Sequence, residues 1–471
     1  MKNMTHINLL HALTGSTEHL LDKLIGRIPS VQSDAFTARF EAISTLAAPN
    51  GGGWAIDGRH CGTLKDAYKN ALITGQSGCG KSTSILAGSA VSLSKSRSSM
   101  CVLDPAGEVH KWFSGYFNSI GYRVFSLDVS SLQTDGYNDL EFCKSVQDCA
   151  KLAQVIIANG GVESKTDQYW SVAAELTLLL FIRYVVFHCP DETKSLGSVL
   201  KLINEFMTNP TAVDILFSKC ENDEGLLRDY RALLAQGERL NSNILSTIRA
   251  AMKPWTIPNA IRATSKNTIP FSEFRHTPSI LFISTPLPYI KLFAPIIGML
   301  FSRIFSEIMR KIPEPTELSI FCILEEMLLY RVPDLSIMLS NCRKYRAGCL
   351  CITQDYNMIK SVYSEADCHG IKTNSYLKVF CPSVSNLVAR ELSENLGRYS
   401  LKDGGSRRLM EQDEIMKMRD TLFFIGQSAS RGKLYPFYDN PILRRYTSMP
   451  QLPFPDKLPA GMPPLIHFDN G

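Results

Sequence analysis

The feature that most constrains this chain is the nonapeptide Gly75-Gln-Ser-Gly-Cys-Gly-Lys-Ser-Thr83, which satisfies G-x-x-x-x-G-K-S/T at every fixed position. A loop of this kind must curl until consecutive backbone N–H groups surround phosphate oxygens, and glycine permits the curl because no Cβ stands in the way. The lysine brings an ammonium to the β- and γ-phosphates, and the next hydroxyl is a Mg2+ ligand. The flanks agree. Ala71-Leu-Ile-Thr74 is a short apolar run of buried-strand type, and Lys81 to Ser92 has a helical pattern whose N-terminus would face the anion. The residues assigned to phosphate binding are therefore Gly75, Gly78, Cys79, Gly80, Lys81, Ser82 and Thr83.

Downstream, the strand-and-helix alternation continues. Met100-Cys-Val-Leu-Asp104 is an apolar run ending in a carboxylate, Pro-Ala-Gly-Glu108 leads into a helical pattern, and Tyr122 to Leu127 ends at Asp128. Such alternation at short spacing predicts a parallel sheet wrapped by helices, with ligands outside the carboxyl ends of the strands. From about Glu141 to Met252 the pattern becomes helical, with apolar stripes such as Leu152, Val155, Ile156 and Leu176, Leu179, Leu180. Tyr169 and Trp170 in that stretch fit core packing better than base stacking. The sheet pattern resumes at Ser279 to Ile283 and at Leu318 to Leu324, which runs straight into Glu325 and Glu326.

An apolar strand ending in two carboxylates supplies what the second half of an ATP site needs: Glu325 for the metal and its water shell, Glu326 to polarise the attacking water. Gly348 to Thr353 is a further buried strand ending at Gln354, whose amide suits the lytic water or γ-phosphate, or else caps a helix. Strands near Leu377 to Phe380 and Thr421 to Ile425 would complete the sheet. The fold class expected is α/β, with a mainly parallel central sheet and an inserted all-α domain. The boundaries are 1–50 for a helical extension, 51–140 with 266–440 for the nucleotide-binding domain, 141–265 for the insertion and 441–471 for a tail.

Composition narrows the setting. A net charge of +5 over 471 residues is too mild to demand a polyanion partner. The 13 cysteines are scattered without C-x-x-C pairs or zinc spacing, which favours reduced thiols in the cytosol. Residues 7 to 28 read as an amphipathic helix that packs on the body or docks a partner, not as a signal peptide. The apolar run Leu176 to Phe187 is short and carries Arg183, so no membrane span is expected. The segment from Pro436 holds 8 of the 24 prolines and predicts an extended, wrapped or disordered end.

Taken in order, these segments resemble the conjugative and type IV secretion coupling proteins, the TraG/TraD-type hexameric ATPases. The phosphate loop is similar to theirs. Val102-Leu-Asp-Pro-Ala-Gly-Glu108 resembles their D-P-K-G-E with Ala106 for Lys, and Gly136-Tyr-Asn-Asp-Leu resembles Y-N-P-L with a change at Asp139. Ile323-Leu-Glu-Glu-Met is similar to the D-E-F closing their Walker B strand, Thr353-Gln354 to the glutamine after the next strand, and Arg407-Arg-Leu-Met to R-P-L-M. The likeness covers roughly residues 50 to 440, with Glu325 where Asp is usual. It implies a RecA-like domain, Mg2+ and ATP as cofactors, and a homo-hexamer. The implied substrates are single-stranded DNA with attached relaxase, or effector proteins, delivered to a type IV secretion channel at the inner membrane. It also places Arg343 where the family carries an arginine finger, against the plainer reading of a solvated basic helix end. Family members commonly begin with transmembrane helices; none is expected here, so a cytoplasmic chain held peripherally by partners is implied. The alternatives are a low-turnover ATP-binding adaptor of the secretion system and a duplex-DNA translocase of the same superfamily.

Overall fold

The computed structural model describes residues 37–49, 51–160, 168–401 and 405–468; the helix expected over residues 7 to 28 lies outside them. Nine strands form one sheet: β1 (Ala71–Thr74), β2 (Ser99–Leu103), β3 (Arg123–Asp128), β4 (Ser279–Ser284), β5 (Ile320–Leu324), β6 (Ala347–Thr353), β7 (Leu377–Phe380), and, after a two-stranded ribbon of β8 (Arg398–Ser400) and β9 (Ser406–Arg408), β10 (Thr421–Ile425) and β11 (Ser428–Gly432). Their order is β11-β10-β7-β1-β6-β5-β2-β4-β3. The seven strands from β7 to β3 are parallel, and β10 and β11 join antiparallel at one edge.

The central strands are buried at every position and largely apolar because both faces are covered, as parallel sheets require. Successive residues alternate between two cores. Cys101, Leu103, Cys322 and Leu324 face one core, together with the helices Val146–Asn159 and Ile290–Met309. Met100, Val102, Phe321 and Ile323 face the other, under the helices Ala87–Lys95 and Glu108–Ser119. Between β3 and β4 the described chain contains helices and no strand, the longest being Gln168–His188.

The stretch Trp54 to Thr63 folds back on itself: Ala55 and Cys61 pair antiparallel, the Ile56 N–H donates to the His60 carbonyl and the Gly62 N–H to the Trp54 carbonyl, and the Asp57 carboxylate accepts from the Arg59 and His60 N–H groups within the turn. The loop helix begins as a π-helical turn over Lys81–Leu86 before continuing as an α-helix. Two helices, Tyr169–His188 and Leu287–Met309, are long and apolar enough to cross a membrane by length and composition alone. Of their apolar windows, 56% and 67% is buried inside the fold.

The proline-rich end is ordered against the body. After a short helix, Pro441–Thr447, it runs extended across the molecule to Phe468.

Candidate nucleotide-binding site

β1 ends at Thr74 and hands the chain to the glycine loop at the carboxyl edge of the sheet. Gly78 and Gly80 take φ of +82° and +93°, a left-handed conformation that β-carbon-bearing residues resist. A Cβ on Gly78 would meet nothing within 4 Å, so this glycine is demanded by backbone conformation and not by crowding. The Lys81 side chain is buried, and its ammonium donates to the carbonyls of Gly75 (2.6 Å) and Gln76 (3.0 Å), folding it back over the loop.

In the sheet order, β6 stands between β1 and β5, so the carboxylates after β5 approach the loop across one intervening strand tip. The Ser82 hydroxyl donates directly to the Glu325 carboxylate. Next to it, Glu326 takes φ of +51°, a costly conformation for a non-glycine residue and one that clusters at functional sites. That turn brings its carboxylate to the Gln354 amide at the tip of β6, which donates to both oxygens at 3.2 and 3.3 Å. Ser82, Glu325, Glu326, Gln354 and Lys81 are thus gathered at one sheet edge.

Arg343 is not gathered there. It lies exposed in the turn Cys342–Tyr345 before β6, at the amino edge of the sheet, roughly 23 Å of strand away from the loop.

The electrostatics are those of a crowded acidic site. Burial pushes Glu325 up to about 7 against the opposing Ser82 hydrogen bond, and the carboxylates of Asp104, Glu326 and Glu108 add to the rise. Burial likewise pushes Asp104 up to about 6, although it accepts hydrogen bonds from the N–H groups of Glu108, Val109 and His110. Acidic groups this close, beside a hydroxyl and a phosphate-type loop, fit a divalent cation. Among the described residues no group of three or more His, Cys, Asp or Glu side chains could hold a metal alone. Mg2+ is commonly held by one or two protein oxygens together with phosphates and water.

Two basic residues that the sequence did not single out complete the surroundings. An open cleft of about 490 Å3 beside the loop is lined by Gln76 to Cys79, Pro382, Ser383, Arg419, Thr421, Lys433 and Leu434. Arg419 precedes β10 and Lys433 follows β11, more than three hundred positions from the loop, so only the pairing of β10 with β7 brings them close. No local pattern marks them.

A glycine loop at the tip of a central parallel strand, with a carboxylate strand one position removed, defines a P-loop nucleotide-binding fold of the RecA-like kind. Residues 25–451 match the family model for conjugative DNA transfer by the type IV secretory system, and the chain belongs to that family. The VirD4 protein of Rhizobium radiobacter is 21% identical over 376 residues, 74% of this chain and 52% of that protein. The VirD4 protein of Agrobacterium fabrum is 20% identical over 221 residues, 46% of this chain and 31% of that protein. The chain therefore spans about half the length, or less, of these curated relatives.

Among solved structures, the bacterial conjugative coupling protein TrwBdeltaN70, in complex with sulphate, superposes with a TM-score of 0.69 at 14% identity, covering 93% of this chain and 98% of that one. The plasmid coupling protein TrwB in complex with ADP and Mg2+ gives 0.69 at 15%, covering 93% and 100%. VirB4 of Thermoanaerobacter pseudethanolicus gives 0.52 at 13%, covering 84% and 99%.

Proposed function

We propose that this chain is an ATP-hydrolysing coupling protein that drives single-stranded DNA with its attached relaxase, or an effector protein, into a type IV secretion channel at the inner membrane. The observation that carries the reading is the junction of the Ser82 hydroxyl with Glu325, with Glu326 and Gln354 paired beside it. Membership of the conjugative-transfer family supports the choice of cargo.

In this reading Gly75, Gly78, Cys79, Gly80 and Thr83 wrap the phosphates with their backbone, and the Lys81 ammonium leaves its loop carbonyls to meet the β- and γ-oxygens. Ser82 and Glu325 hold Mg2+, which neutralises phosphate charge when bound. Glu326 accepts the proton of the attacking water, and Gln354, already donating to Glu326, holds that carboxylate in place. Arg343 stands too far from its own loop to assist there. It serves a neighbouring subunit's site in a homo-hexamer, where its guanidinium stabilises charge developing on the γ-phosphate. Partners in the secretion channel hold the chain on the cytoplasmic side.

The test is steady-state ATP hydrolysis by the purified chain, with and without single-stranded DNA. Turnover should be stimulated by the DNA and fall about 100-fold in Lys81→Ala. Tight ATP binding with background turnover that Lys81→Ala does not change would instead establish a recruitment adaptor. Preferential stimulation by duplex DNA would make it a duplex translocase.

A further inference from the structure

Cys79 occupies a variable position of the phosphate loop, yet its sulfur has a partner. A Cβ placed on Gly75 would lie 2.7 Å from Cys79 Sγ and 2.8 Å from Cys381 Sγ, so both sulfurs converge on the space that the missing Gly75 side chain leaves. Cys381 follows β7 directly, and its N–H donates to the Thr74 carbonyl at 2.8 Å, fixing it beside the last residue before the loop. Any larger residue at position 75 would wedge the two sulfurs apart.

The pair also has access and polarity. Cys79 lines the open cleft and is half-buried, whereas Cys381 is buried. Of the 13 cysteines, Cys61 and Cys79 are the half-buried ones, and burial pushes the Cys61 thiol up. Cys79 is held down at about 6, first by a hydrogen bond from Cys381 and then, against burial, by the Lys81 ammonium, whose nitrogen is 3.9 Å from its sulfur. Hydrogen bonding to Cys79 and burial push Cys381 the other way. An accessible, acidic thiol next to a second thiol is the arrangement of an attacking and a resolving cysteine.

We propose that Cys79 and Cys381 form a reversible disulfide that closes the phosphate loop to nucleotide, making this site redox-gated. The Cys79 thiolate attacks the O–O bond of a hydroperoxide, giving a sulfenic acid and releasing the alcohol, or water from hydrogen peroxide. The Cys381 sulfur then attacks the sulfenic sulfur, the S–S bond forms, and the hydroxyl leaves as water with the Cys381 proton. Two thiols and one hydroperoxide become one disulfide, one alcohol and one water. The new bond ties the loop to the end of β7, while Lys81 stays on the Gly75 and Gln76 carbonyls. A loop held there cannot re-form around phosphates. Intracellular disulfides are commonly transient and redox-sensing, which suits a gate on a motor that consumes ATP.

The proposal rests on the ATP-site reading, and the test separates the two. The full chain is treated with hydrogen peroxide, digested without reductant, and searched by mass spectrometry for a peptide linking Cys79 to Cys381. In parallel, binding of a fluorescent ATP analogue is titrated on reduced, oxidised and dithiothreitol-rescued protein. The linked peptide should appear, affinity should fall by a factor of about 10 or more on oxidation, and dithiothreitol should restore both. Cys381→Ser should give neither the linked peptide nor the loss of affinity. Absence of the linked peptide in oxidised wild type overturns the proposal, as does a linked protein that binds the analogue unchanged. Reduced protein that fails to bind the analogue overturns the ATP-site reading itself.

Discussion

At the scale of single residues, the telling substitution is Glu325, where the family resemblance led us to expect Asp. Its longer side chain is used, because it reaches the Ser82 hydroxyl. Asp139, the other departure, is buried and accepts from the Tyr137 hydroxyl at 2.5 Å and from Arg303 at 2.8 Å, tying the start of the helical stretch to the Ile290–Met309 helix. Glu325 has a measurable consequence in pH. Its folded value of about 7 lies above its ordinary 4.5, so between those values the folded chain keeps a proton that the unfolded chain has released. Its contribution to stability is therefore complete below about 4.5 and lost as pH rises through about 7, and Asp104, raised to about 6, acts in the same direction. Without nucleotide, Tm should fall from pH 5 to pH 8 by more than in Glu325→Gln, the excess corresponding to about 1–2 kcal/mol once the partial exposure of the group is allowed for. Equal slopes in wild type and variant would show that Glu325 titrates normally.

At the scale of elements, Asp104 does more than end a strand. It accepts from three N–H groups at 2.8 to 3.0 Å and so caps the helix Glu108–Ser119 from four residues upstream, across Gly107 at φ +69°. Asp104→Ala should cost about 1–2 kcal/mol in urea denaturation, whereas Asp104→Asn, which keeps acceptor oxygen, should recover part of it. Equal losses in the two variants would assign the effect to charge. This element also marks the limit of what sequence discloses. The apolar runs of β1, β2, β5 and β6 were visible because strands buried on both faces are largely apolar, and the residues at their tips, Asp104, Glu325 and Gln354, followed from that. What an acid at a tip does was not visible: in one-dimensional order, a helix cap and a ligand look alike. Nor was the neighbourhood of Arg419 and Lys433, since strand order depends on pairings across hundreds of residues that no local pattern encodes.

At the scale of the whole molecule, the proline-rich end is a strap between the nucleotide-binding body and the helical stretch, and its course follows from backbone groups. Near its start, the Leu452 N–H donates to Ser114 at 3.0 Å, and Phe454 stacks on the His110 ring, with centroids 4.6 Å apart. Midway, Lys457 pairs at 2.8 Å with the fully buried Asp135, and the buried Arg262 donates to the carbonyls of Leu458 and Pro459. At its far end the Ile466 N–H donates to Ser198 at 3.1 Å. The helix it grips first, Glu108–Ser119, is the one Asp104 caps at the edge of the nucleotide site, so the strap links that site mechanically to the helical stretch. Proline suits this role because it keeps the chain extended and lowers the entropy lost on ordering. Deleting residues 450–471 removes the buried Leu458 and Ile466 side chains, each worth about 1.5–3 kcal/mol, and leaves the Arg262 guanidinium without two of its acceptors. The truncated chain should still bind ATP but unfold in two steps, with the helical stretch melting first and becoming protease-sensitive between β3 and β4. A single transition at the wild-type Tm would show that the strap carries no load, and loss of ATP binding would show that the two parts do not fold apart.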